Sequence, residues 1–177
     1  MSKIKLATVW LDGCSGCHMS LLDLDEGIIA VAKLADIVYG PLVDAQEFPE
    51  GVDVTLVEGA VSSQDDLKLI QTIRQRSKIV IALGDCAVTS NVPAMRNSVP
   101  VRKLLERVYI EGSSLPGAAI PTDTVPALLR HAVPVHEVVK VDLHVPGCPP
   151  KPEAILFAIG ELLEGRKPDM ASHVRFG

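Results

Sequence analysis

The sequence predicts an α/β protein in which a mostly parallel sheet carries helices on both faces. Short apolar segments rich in β-branched residues alternate along the chain with longer segments of helical periodicity, and this alternation is typical of parallel sheets. The apolar segments are nearly uninterrupted, as strands buried on both faces require. The chain has 177 residues, of which 47% are hydrophobic, so we expect residues 1–177 to form a single domain.

Strands and helices are predicted in alternation. We expect strands over four apolar runs, namely Ile4–Leu11, Val52–Val57, Lys78–Leu83 and Val138–Val145. Helices are expected over Met19–Leu34, after the N-cap candidates Ser62 and Ser63, over Val101–Ile110, and over Glu153–Leu163 after Pro152. Proline and glycine interrupt residues 112–137, where we expect loops and one short helix around Thr124–His131.

Composition excludes several classes of function. The formal net charge is −5, whereas nucleic-acid binding needs clustered Lys and Arg. No apolar run reaches 18 residues, so we expect no membrane span. The N-terminal segment has neither a secretory nor a twin-arginine signal, so we predict a cytoplasmic protein with reduced thiols. Mean hydropathy is +0.28 with only 3% aromatic residues, which indicates an obligate partner.

All four cysteines fall just after predicted strands. Cys14 and Cys17 follow the first strand, Cys86 follows the third, and Cys148 follows the fourth. The carboxyl ends of parallel strands share one edge of a sheet, where ligand sites form. We therefore expect the four thiols to meet at that edge. Glu58 follows the second strand there, either as a hydrogen-bond partner, proton partner or iron ligand, or as a solvated loop carboxylate.

Four convergent thiolates suit an iron–sulfur cluster or zinc. A glycine adjoins each cysteine loop, and backbone N–H groups can then approach the sulfurs, which favours the cluster. Structural zinc sites usually contain two close Cys pairs, and here only Cys14 and Cys17 form one. Three other interpretations are less favoured. A thioredoxin-like pair leaves Cys86 and Cys148 unexplained, and covalent haem attachment normally takes place outside the predicted compartment. Four buried structural cysteines would not be expected to lie all in glycine-flanked loops at one sheet edge.

Four motifs give the sequence a family resemblance. In chain order they are WLDGCSGCHMSLLD from Trp10 to Asp23, EGAV from Glu58 to Val61, GDC from Gly84 to Cys86, and PGCPP from Pro146 to Pro150. Together they resemble the small subunits of [NiFe]-hydrogenases, most closely those of the cytoplasmic, bidirectional NAD-reducing type. The wider superfamily includes the 20 kDa subunit of NADH:quinone oxidoreductase. The resemblance extends from Ile4 to about Leu163.

The resemblance implies a flavodoxin-like fold and one [4Fe–4S] cluster, the proximal one, whose ligands match Cys14, Cys17, Cys86 and Cys148. The implied partners are a large subunit that holds the Ni–Fe centre and diaphorase subunits that pass electrons to flavin and NAD⁺. This chain would then carry electrons, and H₂ would be split in the partner. No cysteine remains for a second cluster.

Two features bear on the branch of the superfamily and on a second cofactor. Quinone-reducing relatives typically have adjacent cysteines in the first motif, whereas two residues separate Cys14 from Cys17. This difference favours the hydrogenase branch, with a quinone-oxidoreductase subunit or a four-cysteine zinc module as the alternatives. A flavodoxin-like fold also suggests FMN, but Cys14 and Cys17 occupy the loop where flavodoxins hold the phosphate, so FMN is not favoured.

Other residues near the motifs have simpler interpretations. We expect Asp85 to form the turn beside Cys86, and His18 to lie at a helix N-terminus rather than to bind metal. Trp10 either limits water near a cluster or packs in the core. A solvated helix face is expected for three basic residues, Arg102, Lys103 and Arg107.

Overall fold

A five-stranded parallel sheet forms the centre of the protein. The computed structural model describes residues 3–176, whose strands are β1 (Ile4–Trp10), β2 (Ala35–Tyr39), β3 (Val52–Glu58), β4 (Val61–Ser63), β5 (Ser77–Leu83), β6 (Leu128–Val133) and β7 (Leu143–Val145). The main sheet has the order β2-β1-β3-β5-β7, and every neighbouring pair in it is parallel. This is the doubly wound order of flavodoxin-like folds, so the predicted fold class is confirmed.

Helices cover both faces of the sheet. They are α1 (Gly16–Leu22), α2 (Gly27–Leu34), α3 (Gln64–Arg76), α4 (Asp85–Thr89), α5 (Val101–Glu106) and α6 (Pro152–Leu163). Successive strand residues point to opposite faces, so Leu56 packs in one core with α2 and α6, while Val57 packs in another with α3 and α4. None of the helices within residues 3–176 has the length and hydrophobicity that crossing a bilayer requires.

Several elements predicted from the sequence are confirmed. Three predicted strands appear as β1, β3 and β5, and the last predicted helix appears as α6. Helix α3 begins at the predicted cap: Ser63 Oγ accepts from the Asp66 amide at 3.1 Å, and Asp66 Oδ2 accepts from the Ser63 amide at 2.9 Å. This reciprocal capping box satisfies two backbone donors that the first turn leaves free.

The prediction of one continuous helix over Met19–Leu34 is wrong. The chain turns between α1 and α2, where Asp25 has a φ of 48° and the Gly27 amide donates to the Leu24 carbonyl at 2.8 Å. Helix α2 then runs directly into β2, a strand that the sequence analysis missed. Because β2 lies at the edge of the sheet and is partly exposed, it lacks the continuous apolar run that identifies a buried strand.

Residues 99–145 also differ from expectation. The predicted helix around Thr124–His131 is instead β6, which pairs antiparallel with β4 in a small second sheet. The predicted strand Val138–Val145 is reduced to β7, because the turn that begins at Val135 continues to Val139, whose amide donates to the Val135 carbonyl at 3.0 Å. The helix predicted over Val101–Ile110 is present, but its second half, Arg107–Glu111, is a π turn that ends before Gly112.

An ion pair fastens α3 and β5 to the chain segment that leads into β7. Asp142 Oδ2 accepts from Arg74 Nη1 at 2.6 Å and from the Val80 amide at 2.9 Å. Arg74 also donates to the Ser77 carbonyl at 2.6 Å. Burial by itself would raise the pKa of Asp142, but the Val80 amide and the Arg74 guanidinium outweigh it and hold that pKa below its ordinary value.

We predict that Asp142→Asn lowers the free energy of unfolding by about 1 kcal/mol at pH 7, because a charge-assisted hydrogen bond is lost. A carboxylate whose folded pKa is depressed stabilises the protein above its unfolded pKa and loses that effect as pH falls. The difference from wild type should therefore hold from pH 7 to about pH 5 and shrink below about pH 4 in urea titrations.

Asp36→Asn is the matched control, since the Lys3–Asp36 pair lies on the surface with side chains 44% and 60% exposed. It should change stability by at most a few tenths of a kcal/mol. A difference for Asp142→Asn that persists unchanged at pH 3 would contradict the role assigned to the carboxylate.

Candidate functional site

The cysteine loops meet at the carboxyl edge of the main sheet. Cys14 and Cys17 follow β1 and lead into α1, Cys86 lies in the first turn of α4 after β5, and Cys148 follows β7. Glu58 is the last residue of β3, between them. Cys17 is buried, Cys86 is partly exposed, and Cys14 and Cys148 are exposed. Each of these residues therefore lies at the carboxyl edge of the sheet, where the sequence analysis expects it.

The four thiols are close enough to affect one another's ionisation. Burial raises the pKa of Cys17 well above its ordinary value, and negative charge on its neighbours raises it further: Glu58, Cys86, Cys14 and Cys148. Burial is also the main cause that raises the pKa of Cys86. Burial and mutual repulsion therefore keep the Cys17 thiol neutral unless positive charge lies beside it.

Nitrogen donors face three of the sulfurs. The Gly16 amide donates to Cys14 Sγ at 3.4 Å, and Asn91 Nδ2 donates to Cys148 Sγ at 3.6 Å. The Val92 backbone donates to Cys86, which lowers the pKa of that thiol against the effect of burial. The sequence analysis missed Asn91 and Val92, since only the folded chain brings Asn91 beside a cysteine 57 residues away.

Glycine is required where the end of β5 passes Cys17. Gly84 has a φ of 80°, and a Cβ at this position would lie 2.2 Å from Cys17 Sγ. No side chain fits in that space, and the backbone conformation itself favours glycine. The close approach of these two loops therefore depends on Gly84.

Glu58 holds the first cysteine loop. Its side chain is 1% exposed, so it is not a solvated loop carboxylate. It accepts from the His18 amide at 3.0 Å and from the Cys17 amide at 3.4 Å, and it pairs with His18 Nδ1. The carboxylate thus satisfies free amides at the start of α1 while it adds negative charge beside Cys17.

Two further buried side chains tie the other loops together. The Asp85 amide donates to the Gly147 carbonyl at 2.9 Å, and Asp85 Oδ1 accepts from the Gly147 amide at 2.6 Å. Ser20 Oγ donates to the Pro150 carbonyl at 2.5 Å. Asp85 is therefore more than the turn residue that the sequence predicts, because it joins the loops of Cys86 and Cys148.

Trp10 lies at the rim of the site and not in the core. Its side chain is 49% exposed, and its Nε1 donates to the Gly13 carbonyl at 3.1 Å. Together with Met19 and Leu42 it lines an apolar cavity of about 470 Å³ beside the first cysteine loop. The alternative of ordinary core packing for Trp10 is therefore wrong.

Within the described part of the chain, residues 3–176, no three Cys, His, Asp or Glu side chains are gathered as ligands around a single metal ion. The four cysteines are nevertheless near one another, since negative charge on Cys86, Cys14 and Cys148 raises the pKa of Cys17.

Comparison with known proteins identifies the family. The family model described as NADH ubiquinone oxidoreductase, 20 Kd subunit, matches residues 14–162. A vhu F420-non-reducing hydrogenase subunit of Methanocaldococcus jannaschii is 41% identical over 172 residues, covering 97% of this chain and 60% of that relative. A relative of the same description from Methanococcus voltae shows the same identity and shares. The chain thus spans about 60% of the length of these two relatives.

A third relative has a different description. The NAD-reducing hydrogenase HoxS subunit delta of Cupriavidus necator is 36% identical over 176 residues, covering 97% of this chain and 84% of that relative.

Solved structures agree with this assignment. A chain in the crystal structure of NAD⁺-reducing [NiFe]-hydrogenase in the H₂-reduced state superposes with a TM-score of 0.95 at 37% identity, covering 99% of this chain and 100% of that one. The [NiFeSe] hydrogenase of Desulfovibrio vulgaris Hildenborough shares the fold, with a TM-score of 0.54 at 19% identity over 93% of this chain and 64% of that one. The chain therefore belongs to the NADH ubiquinone oxidoreductase 20 kDa subunit family and is a homologue of hydrogenase subunits, among them a subunit of an NAD-reducing hydrogenase.

Proposed function

We propose that this chain is the electron-transfer small subunit of an NAD-reducing [NiFe]-hydrogenase, with residues 1–177 forming one domain around a single [4Fe–4S] cluster. The observation that carries the proposal is the convergence of Cys14, Cys17, Cys86 and Cys148 at one sheet edge. Four cysteine thiolates are the usual ligand set of such a cluster. The similarity to NAD-reducing hydrogenase, at 36–37% identity, supports H₂-dependent NAD⁺ reduction as the reaction of the complex.

The residues at the site fit this cofactor. A [4Fe–4S] cluster distributes its four thiolates over four irons, so the cysteines need not converge on one ion as zinc ligands do. Burial and mutual repulsion raise the pKa of Cys17, and a cationic iron core would offset both effects. Gly84 leaves space beside Cys17 Sγ that any Cβ would fill.

When bound, the cluster would accept and release one electron at a time. The chain's own residues would hold it and adjust its potential. Donors such as the Gly16 amide and Asn91 Nδ2 stabilise negative charge on the sulfurs and favour the reduced form. The buried carboxylate of Glu58 has the opposite effect, because its negative charge beside Cys17 disfavours an added electron.

We infer the partners from the similarity to NAD-reducing hydrogenase. Electrons would pass between the Ni–Fe centre of a large subunit, where H₂ is split, and the flavin and iron–sulfur clusters of diaphorase subunits. A cytoplasmic location follows from the NAD(H) that such an enzyme uses. We assign no FMN to this chain, because Cys14 and Cys17 occupy the loop after β1.

A second candidate is the same cluster-binding role in a hydrogenase of the F420-non-reducing type. The 41% identity to F420-non-reducing hydrogenase subunits favours it. The two candidates share the cysteine site and differ in the partners that receive the electrons.

The experiment that tests the function is purification of the tagged chain with its natural partners, followed by metal analysis and two assays. We expect a nickel-containing large subunit and H₂-dependent reduction of both NAD⁺ and a viologen dye. Viologen reduction without NAD⁺ reduction would support the second candidate. A complex without nickel or hydrogenase activity would overturn both.

We predict that Cys148→Ala lowers H₂-dependent NAD⁺ reduction of the purified complex by about 100-fold or more, because one cluster ligand is removed. Alanine is preferred to serine, whose oxygen can itself bind iron. Ser172→Ala is the matched control, since Ser172 lines the same cavity as Cys148 but carries no thiol. This variant should keep wild-type activity. Full activity and iron content in Cys148→Ala would contradict the ligand assignment.

We predict that Glu58→Gln keeps the iron content of the chain but raises the cluster potential by tens of millivolts, because a buried negative charge is removed. Redox titration followed by EPR measures the shift. Glu47→Gln, at an exposed position, is the control and should leave the potential unchanged. A potential and EPR spectrum of Glu58→Gln identical to those of wild type would show that Glu58 has only a structural role.

A further inference from the structure

One segment of the chain stands apart from both cores. We call residues 99–127 the arm; it contains the helical turns Val101–Glu111 and the loop that follows, and none of its residues is buried. The arm nevertheless carries six large apolar side chains that are at least 40% exposed: Val99, Val108, Tyr109, Ile110, Leu115 and Val125. A folded chain that binds no partner rarely exposes so many apolar side chains in one segment.

The arm is fixed at its base. Asn97 donates to the Ala132 carbonyl and accepts from the Ala132 amide, both at 2.8 Å. Arg96 donates to the carbonyls of Ser62 and Leu129, both at 3.1 Å. The arm is thus a projection held by β4 and β6 at its ends, and not a loose tail.

The helical part of the arm is too short to be stable alone. Val101–Glu111 has 11 residues, and isolated helices of fewer than about 12–15 residues are marginal in water. Two exposed ion pairs, Arg102–Glu106 and Arg107–Glu111, support it, but such pairs contribute little. Strand β6 supplies part of the packing, since α5 contacts it and Leu104 and Leu105 are half-buried, but Val108, Tyr109 and Ile110 remain exposed.

The comparison structure contains the arm in the same shape. The arm is 29 of 177 residues, so a superposition that covers 99% of the chain with a TM-score of 0.95 includes it. That chain adopts this shape within the crystal structure of NAD⁺-reducing [NiFe]-hydrogenase.

Charge and position indicate which kind of partner covers the arm. Its three basic residues, Arg102, Lys103 and Arg107, are balanced by Glu106, Glu111 and Asp123. A neutral, apolar surface is typical of a permanent subunit interface, whereas transient redox partners bury small areas and are guided by charge.

Exposed apolar side chains also follow the chain from the cysteine site to the arm. In sequence, Val92 and Met95 lie between Cys86 and the arm, and they are 59% and 76% exposed. The Val92 backbone donates to Cys86, and Asn91 contacts Cys148. A subunit that covers the cysteine rim would therefore meet this segment of the chain, which leads directly into the arm.

We propose that the arm, residues 99–127, is the element on which the large [NiFe] subunit docks. This inference rests on the proposed function, which brings that subunit against the cysteine rim. The exposed side chains of Val108, Tyr109 and Ile110 would be buried in the interface. The arm would thus anchor the chain to the subunit with which it exchanges electrons.

The test is Val108→Asp in the tagged chain, purified with its partners. We expect the amount of large subunit and nickel per chain to fall at least about tenfold, because an unpaired carboxylate would be buried in the interface. Ile29→Asp is the matched control, since Ile29 is 61% exposed on α2, and it should retain the subunit. Iron content and far-UV circular dichroism show whether the variant chain is folded.

A second measurement identifies the partner directly. A photo-crosslinking side chain introduced as Tyr109→p-benzoylphenylalanine should join the chain to the nickel-containing subunit in the assembled complex. Crosslinks to a diaphorase subunit or to a second copy of this chain would overturn the inference, as would full retention of the large subunit by Val108→Asp. Absence of any nickel subunit from the wild-type complex would instead overturn the proposed function, and the docking assignment with it.

Discussion

The site depends on buried polar side chains that tie loops from distant parts of the sequence. Glu58 accepts from amides of the first cysteine loop, Asp85 joins the Cys86 loop to Gly147, and Ser20 holds the Pro150 carbonyl across 130 residues. All three are at most 5% exposed. A buried polar group without a partner destabilises the fold, so these contacts select the one arrangement of loops that satisfies them. That arrangement is also the one that gathers the four cysteines, so under the proposed function folding and cofactor binding would impose the same geometry.

Much of this arrangement follows from the sequence, because a few local signals combine with one general rule. Uninterrupted apolar runs identified β1, β3 and β5, and parallel strands bring their carboxyl ends to one edge, which placed Glu58 and the cysteines together. Strands β2 and β6 were missed for a physical reason. The partly exposed edge strand β2 has no apolar run, and β6 exists because it pairs with β4, more than 60 residues away. The contacts of Asp85, Asn91 and Ser20 were likewise invisible, since each partner is brought close only by the completed fold.

The division between a rigid body and an exposed arm explains the unusual composition of the chain. Mean hydropathy is +0.28 and only 3% of the residues are aromatic, so the apolar content is mostly aliphatic. Part of this apolar content lies in side chains that the isolated chain leaves in water, around Trp10 and Met19 beside the first cysteine loop and along the arm. Both surfaces adjoin the cysteine loops. In the proposed complex a partner would cover these side chains, which would then keep water from the cluster.

The central claim is that Cys14, Cys17, Cys86 and Cys148 hold one iron–sulfur cluster. Native mass spectrometry of the anaerobically purified complex, with this chain released intact in the instrument, tests it most directly because each bound atom adds to the measured mass. The account predicts a chain heavier than its polypeptide by four irons and four sulfides. A bare chain, or one that carries a single zinc ion, would contradict it.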